Sequence, residues 1–180
     1  MRRFNAALTA VILLLFLVHG IEGGFQLMGF RGASSFQKTL AWITAGLITV
    51  HMLIGVKLTA DTLQVRKKTG VSYFKENALF WARRISGFAV MILLLFHITV
   101  FGGGSGGRVR LLRFTSFRLA VKLLLTAAIA VHVISNVKPM LIALGIPDLK
   151  RRAGDILAVL SVLLLFMAFA MIVYYIRWNS

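Results

Sequence analysis

Four histidines are the side chains of this sequence best suited to binding chemistry, namely His19, His51, His97 and His132. One lies in each of the first four long apolar stretches of the chain. Ionisable residues are rare inside a bilayer and mark candidate functional sites there. A single histidine is explained equally well as a hydrogen-bonding residue between helices. Four together need a joint explanation, because the chain has no cysteine and its Asp and Glu residues lie at the ends of the apolar stretches or between them.

The apolar stretches are long enough to cross a membrane as helices. About 17–25 apolar residues span the hydrocarbon core, and 59% of the 180 residues are hydrophobic, with a mean hydropathy of +0.87. Continuous apolar runs in a short chain cannot close a barrel, which leaves helices. We therefore predict an all-α membrane protein, a single domain of residues 1–180 with five transmembrane helices at 4–21, 40–58, 85–101, 119–137 and 156–176.

The basic residues predict the orientation of the chain. The formal net charge is +16, from 21 Lys and Arg against 5 Asp and Glu. With a cytoplasmic N-terminus, 13 basic residues lie on the cytoplasmic side and 8 on the other, as the positive-inside rule favours. We expect a multi-pass protein of the cytoplasmic (inner) membrane, surrounded by lipid. The basic loops carry no recognisable stacking module, so no nucleic-acid partner is expected.

Two further expectations concern the outer side of the membrane. Lys122 stands close to the start of the fourth span, so its ammonium group is expected to snorkel to the surface. The glycine-rich run at 102–107 predicts a flexible connection between the third and fourth spans.

Depth in the membrane sorts the histidines into two level pairs. At about 1.5 Å of rise per residue, His19 and His97 lie roughly 22 and 18 Å from the cytoplasmic end. On the same scale, His51 and His132 lie about 10 and 9 Å from it. A haem iron needs one axial nitrogen on each face, and helix bundles build such sites from facing helices. The sequence thus predicts a bundle enclosing two b-type haems, an outer one on His19 and His97 and an inner one on His51 and His132.

Residues one helical turn away support this interpretation. Gly23 and Gly55 stand four positions after His19 and His51, on the same helix face, where a missing side chain leaves room for a flat macrocycle. Asn136, four positions after His132, is a candidate partner for a propionate or another ligand group. Glycine in a transmembrane helix also serves close helix packing.

Other chemistries agree less well with the sequence. Zinc and non-haem iron sites gather three or four ligands at one depth, commonly with a carboxylate. Covalent haem attachment needs a Cys-x-x-Cys-His motif. A non-haem transporter or scaffold stays an alternative, although midplane transport sites usually occur with broken helices. Here Pro139 and Pro147 fall in the predicted fourth loop.

The third helix opens with Arg84-Ile85-Ser86-Gly87 and carries His97 ten residues after the glycine. In this signature, and in one histidine on each of four helices, the chain resembles the membrane cytochrome b subunits of succinate dehydrogenases and fumarate reductases. The likeness is to the single-chain, five-helix, dihaem type, which pairs the first helix with the third and the second with the fourth. The segment His132-Val133-Ile134-Ser135-Asn136 is similar to its fourth-helix exit. A departure is Arg83, where the family often has Gln or His.

The resemblance implies a membrane anchor that is quinone-reactive but does not itself act on the dicarboxylate. Its partners would be an iron–sulfur subunit and a flavoprotein on the cytoplasmic face, with menaquinone or ubiquinone in the membrane, in a complex that could be a homo-oligomer. A dihaem cytochrome b of another quinone-linked dehydrogenase is the main alternative.

Four residues are candidate contacts for haem propionates or quinone. Arg84 and Ser86 qualify by analogy with the signature, although an interfacial arginine also obeys the positive-inside rule and a serine also bonds its own helix. Arg31 is a candidate for the outer propionates or for lipid phosphates, and Asn136 for the inner haem.

Overall fold

A computed structural model of the chain describes residues 1–32, 34–69, 78–99, 101–103 and 109–179. It has five α-helices: α1 (Arg2–Leu27), α2 (Ser35–Thr69), α3 (Ala78–Ile98), α4 (Ser116–Leu144) and α5 (Leu149–Asn179). All five are long and apolar enough to cross a membrane. The prediction of an all-helical chain with five candidate spans is therefore confirmed.

Most helices extend beyond the predicted spans, because apolar runs measure the hydrocarbon thickness and not the full helix. Helix α3 is the exception, because its C-terminal end falls short of the predicted span. It stops at Ile98, before the predicted 101, because Phe101 begins a short strand, β1 (Phe101–Gly103), that pairs antiparallel with β2 (Val109–Leu111). Gly102 and Gly103 thus belong to a strand, whereas residues 104–107 of the predicted flexible run lie outside the described residues.

Helix α4 lies at the centre of the bundle. It packs closely against α1, α3 and α5, and α1 packs in addition against α2 and α5. The pairs α1/α3 and α2/α4 are not among the closely packed pairs of the described residues. Since these are the pairs whose histidines were predicted to face each other, the imidazoles must meet across the interior of the bundle and not at a tight helix contact.

Small residues allow α1 to approach α5. A Cβ on Gly20 would lie 2.8 Å from Met167 Sδ, and one on Gly24 would overlap the Phe166 ring. At one end of the bundle Ala6 of α1 packs with Val137 and Leu141 of α4. These contacts hold α1, α4 and α5 together as a packed unit. Two of its helices carry histidines, His19 on α1 and His132 on α4.

Pro139 lies inside α4, so its prediction as a loop residue is wrong; the helix continues to Leu144. Proline has no amide N–H, which leaves the carbonyl of Ser135, four residues earlier, without its usual helical donor. Arg83 of α3 replaces that donor, with its Nε 2.8 Å from the Ser135 oxygen. Arg83 therefore joins α3 to α4 at the proline.

Replacing Arg83 by methionine should lower the free energy of unfolding by about 1–3 kcal/mol, because the Ser135 carbonyl loses its donor in a buried position. Resistance to thermal or detergent-induced unfolding of the purified protein measures the effect. Lys138→Met, at an exposed position of α4, is the matched control.

A double-mutant cycle tests the cause. Pro139→Ala returns an amide donor to Ser135, so the cost of Arg83→Met should be smaller in that background. An equal cost in both backgrounds would refute the link between Arg83 and the proline.

Candidate functional site

The four histidines form two pairs inside the bundle. The ring centroids of His19 and His97 are 6.2 Å apart with an interplanar angle of 63°. Those of His51 and His132 are 6.3 Å apart at 84°. The structure thus brings together the same partners as the depth count, with one pair between α1 and α3 and the other between α2 and α4.

Two acceptors on α1 orient His51. Its Nδ1 lies 3.0 Å from Asn5 Oδ1 and 3.2 Å from Thr9 Oγ1. The Thr9 hydroxyl donates its proton to the backbone carbonyl of Asn5 at 2.8 Å. The hydroxyl oxygen is therefore an acceptor towards the imidazole. Both contacts favour the tautomer with the proton on Nδ1. The other ring nitrogen, Nε2, then keeps its lone pair for a metal or a proton.

His132 is seated by the Ser86-Gly87 segment of α3. Its Nδ1 lies 3.2 Å from Ser86 Oγ, and the serine donates to the Ala82 carbonyl at 2.5 Å, so the serine oxygen accepts from the ring. A Cβ on Gly87 would lie 3.0 Å from His132 Cε1. The two small residues of the signature therefore position a histidine of the neighbouring helix, with its Nε2 again left as the acceptor nitrogen.

His97 has a different kind of partner. Its Nδ1 is 3.0 Å from Lys122 Nζ, and the lysine is only 3% exposed. The prediction that Lys122 snorkels to the surface is wrong, because α4 begins at Ser116 and carries Lys122 almost two turns into the bundle. Its ammonium group also lies 5.4 Å from the centre of the Phe114 ring.

The predicted contact residues lie in different surroundings. The guanidinium carbon of Arg84 is 4.8 Å from the Phe80 ring centre, and its buried Nε has no hydrogen-bond partner among the described residues. Arg31 is 59% exposed and forms an ion pair with Glu22. Arg84 is thus the better placed of the two arginines to meet an anionic group inside the protein.

Gly23 and Gly55, each four positions after a histidine of α1 or α2, have open surroundings. Among the described residues, no atom lies within 4 Å of a Cβ built on Gly23 or on Gly55. A side chain at either position would therefore meet no described neighbour.

A cleft of about 200 Å³ opens beside the His51–His132 pair. Its polar lining is formed by Arg2, Asn5, Thr9, His51, His132 and Asn136. Asn136 lies there but donates to the His132 carbonyl of its own helix at 2.7 Å. The sequence interpretation missed the polar stripe at positions 2, 5 and 9, although a spacing of three and four residues places them on one helix face.

The spacing within each pair is suited to one metal ion between two imidazoles. A metal–imidazole bond is about 2.0–2.1 Å, and a ring nitrogen lies about 1 Å from the ring centre, so the two ring centres would be roughly 6 Å apart. The described residues contain no group of three or more His, Cys, Asp or Glu that could hold a metal ion. Each pair therefore brings two imidazoles together, without a third His, Cys, Asp or Glu ligand among the described residues.

Comparison with known proteins gave no match to this chain, whether to a family model, to a curated protein or to a solved structure.

Proposed function

We propose that the chain is a dihaem cytochrome b, the membrane anchor of a succinate:quinone or quinol:fumarate oxidoreductase. The observation that carries the dihaem proposal is the presence of two separate imidazole pairs, with ring centres 6.2 and 6.3 Å apart. Each pair could hold one haem iron through its two imidazoles, since b-type haem bound by two histidines takes one from each side.

The residues around the pairs also suit this cofactor. When bound, haem supplies a one-electron carrier at each pair. His51 and His132 would hold the inner iron through Nε2, with their Nδ1 protons donated to Asn5 and Ser86; such outer hydrogen bonds orient metal-bound imidazoles. Arg84, whose buried Nε has no partner among the described residues, is a candidate donor to a propionate.

The assignment to the succinate dehydrogenase and fumarate reductase family rests on the resemblance of the third helix. Its signature residue Ser86 contacts His132, and a side chain at Gly87 would crowd the same imidazole, which gives a physical reason for small residues at these positions. The end of the bundle that carries the N-terminus also exposes Arg2, Arg3, Arg151 and Arg152. Such a surface suits the cytoplasmic side and the docking of an iron–sulfur subunit with its flavoprotein.

The test is a dithionite-reduced minus oxidised spectrum of the purified protein, with haem quantified as the pyridine haemochrome. Two b-type haems per chain are expected, and haem-free protein from haem-replete cells would contradict the dihaem proposal. Co-purification through a tag on the chain tests the partners. A flavoprotein and an iron–sulfur protein that oxidise succinate or reduce fumarate support the family, whereas subunits of a formate- or hydrogen-oxidising enzyme support the alternative.

A further inference from the structure

Lys122 makes the two histidine pairs chemically unequal. At the His51–His132 pair, the Nδ1 atoms face oxygens that accept a hydrogen bond, on Asn5 and Ser86. At the His19–His97 pair, Nδ1 of His97 faces the Nζ of a buried lysine at 3.0 Å. An ammonium group has three donors and no acceptor, so in this contact the histidine nitrogen accepts.

Binding of a metal to His97 conflicts with this hydrogen bond. A neutral imidazole that accepts at Nδ1 carries its proton on Nε2, and that nitrogen then has no lone pair for a metal. A metal on Nε2 moves the proton to Nδ1, where it would point at the ammonium protons of Lys122. Metal binding at His97 therefore requires the lysine to turn away from Nδ1, and an anionic group nearby would stabilise its charge within a membrane-spanning helix.

The cleft next to Lys122 is suited to an anionic acceptor. It has a volume of about 360 Å³ and lies where α3 ends and α4 begins, lined by Lys122, Arg118, Thr99 and Thr115 among others. Two cationic side chains thus line one cleft, and one of them, Lys122, also contacts His97. Carboxylates bind lysine and arginine through short charge-assisted hydrogen bonds.

We propose that Lys122, together with Arg118, binds the carboxylate groups of the ligand held between His19 and His97. This inference rests on the proposed function, under which those carboxylates are the propionates of the outer haem. On binding, the ammonium group of Lys122 turns from His97 Nδ1 to a propionate, and the imidazole takes the tautomer that leaves Nε2 for the iron. Lys122 is then a positioning residue that also places a positive charge beside the outer haem and not beside the inner one.

An anaerobic potentiometric titration of the two b-type haems tests the inference. Lys122→Met should lower the midpoint potential of the outer haem by at least 59 mV. For a one-electron couple this corresponds to a tenfold change in the redox equilibrium constant. The reason is that loss of a nearby cation favours the more positively charged oxidised iron. The inner haem should keep its potential. The wave that disappears in His97→Ala identifies the outer haem.

Two further variants separate a charge effect from a packing effect. Lys122→Arg keeps the charge and should stay close to the wild-type potential, and Lys138→Met removes the same charge from the exposed far end of α4 and should move neither wave. An outer potential that is unchanged or raised in Lys122→Met would overturn the inference. If Lys122→Met lacks the outer haem but Lys122→Arg retains this haem, the inference is supported. Loss of the outer haem in both variants would overturn the inference. Wild-type protein without haem would instead refute the proposed function.

Discussion

In the proposed dihaem protein, replacement of His97 by alanine is expected to reduce the haem content from two b-type haems per chain to one. The His97 ring lies 6.2 Å from the His19 ring, so the variant removes one of the two imidazoles of a single pair. A ferrous haem with only one histidine ligand binds carbon monoxide, so any outer haem that is retained should become reactive towards it. Haem quantification and the carbon monoxide difference spectrum measure both effects.

The reciprocal variant is the matched control. His132→Ala should remove or expose the other haem, because His132 is paired with His51 across α4 and α2. Each single variant should leave the second haem spectrum unchanged, and the double variant should contain none. If either single variant kept both haems in six-coordinate form, the proposed pairing would be wrong.

A leucine at Gly87 should empty the inner haem site and spare the outer one. A Cβ at this position would already lie 3.0 Å from Cε1 and 3.3 Å from Nδ1 of His132. A larger side chain must therefore displace the imidazole and break its contact with Ser86. We expect loss of the haem that His132→Ala also removes, measured by the same spectra and by the missing wave in the potentiometric titration.

Gly46→Leu is the control for this substitution. Gly46 is exposed on α2, and no described atom lies within 4 Å of a Cβ built there. The same change of residue type in a transmembrane helix should thus leave both haems in place. If Gly87→Leu kept two intact haems, the observed position of His132 would not be required for binding the inner haem.

Much of the fold follows from the sequence because the bilayer imposes few solutions. Apolar runs that must satisfy their backbone hydrogen bonds in lipid become helices, so the five spans could be counted directly. The fixed rise of a helix then converts sequence position into depth. This is why the pairs His19–His97 and His51–His132 could be predicted before any contact was known.

Contacts that depend on how the helices rotate and approach one another could not be predicted in the same way. Lys122 stands near the start of an apolar run, and only the packing of α4 against α3 places its ammonium group at His97. The hydrogen bond from Arg83 to Ser135 joins residues 52 positions apart and depends on a proline inside a helix. Asn5 was overlooked for the same reason, since its partner His51 belongs to another helix.

The packing of α2 has a consequence for biogenesis. Among the described residues, α2 packs closely against α1 but not against α3 or α4. In the proposed dihaem protein, a ligand shared by His51 and His132 would link α2 to α4 at the centre of the bundle. Newly inserted chains would then mature only as cofactor arrives, and chains that lack it would present a loosely held hairpin of α1 and α2 to the quality-control proteases of the membrane.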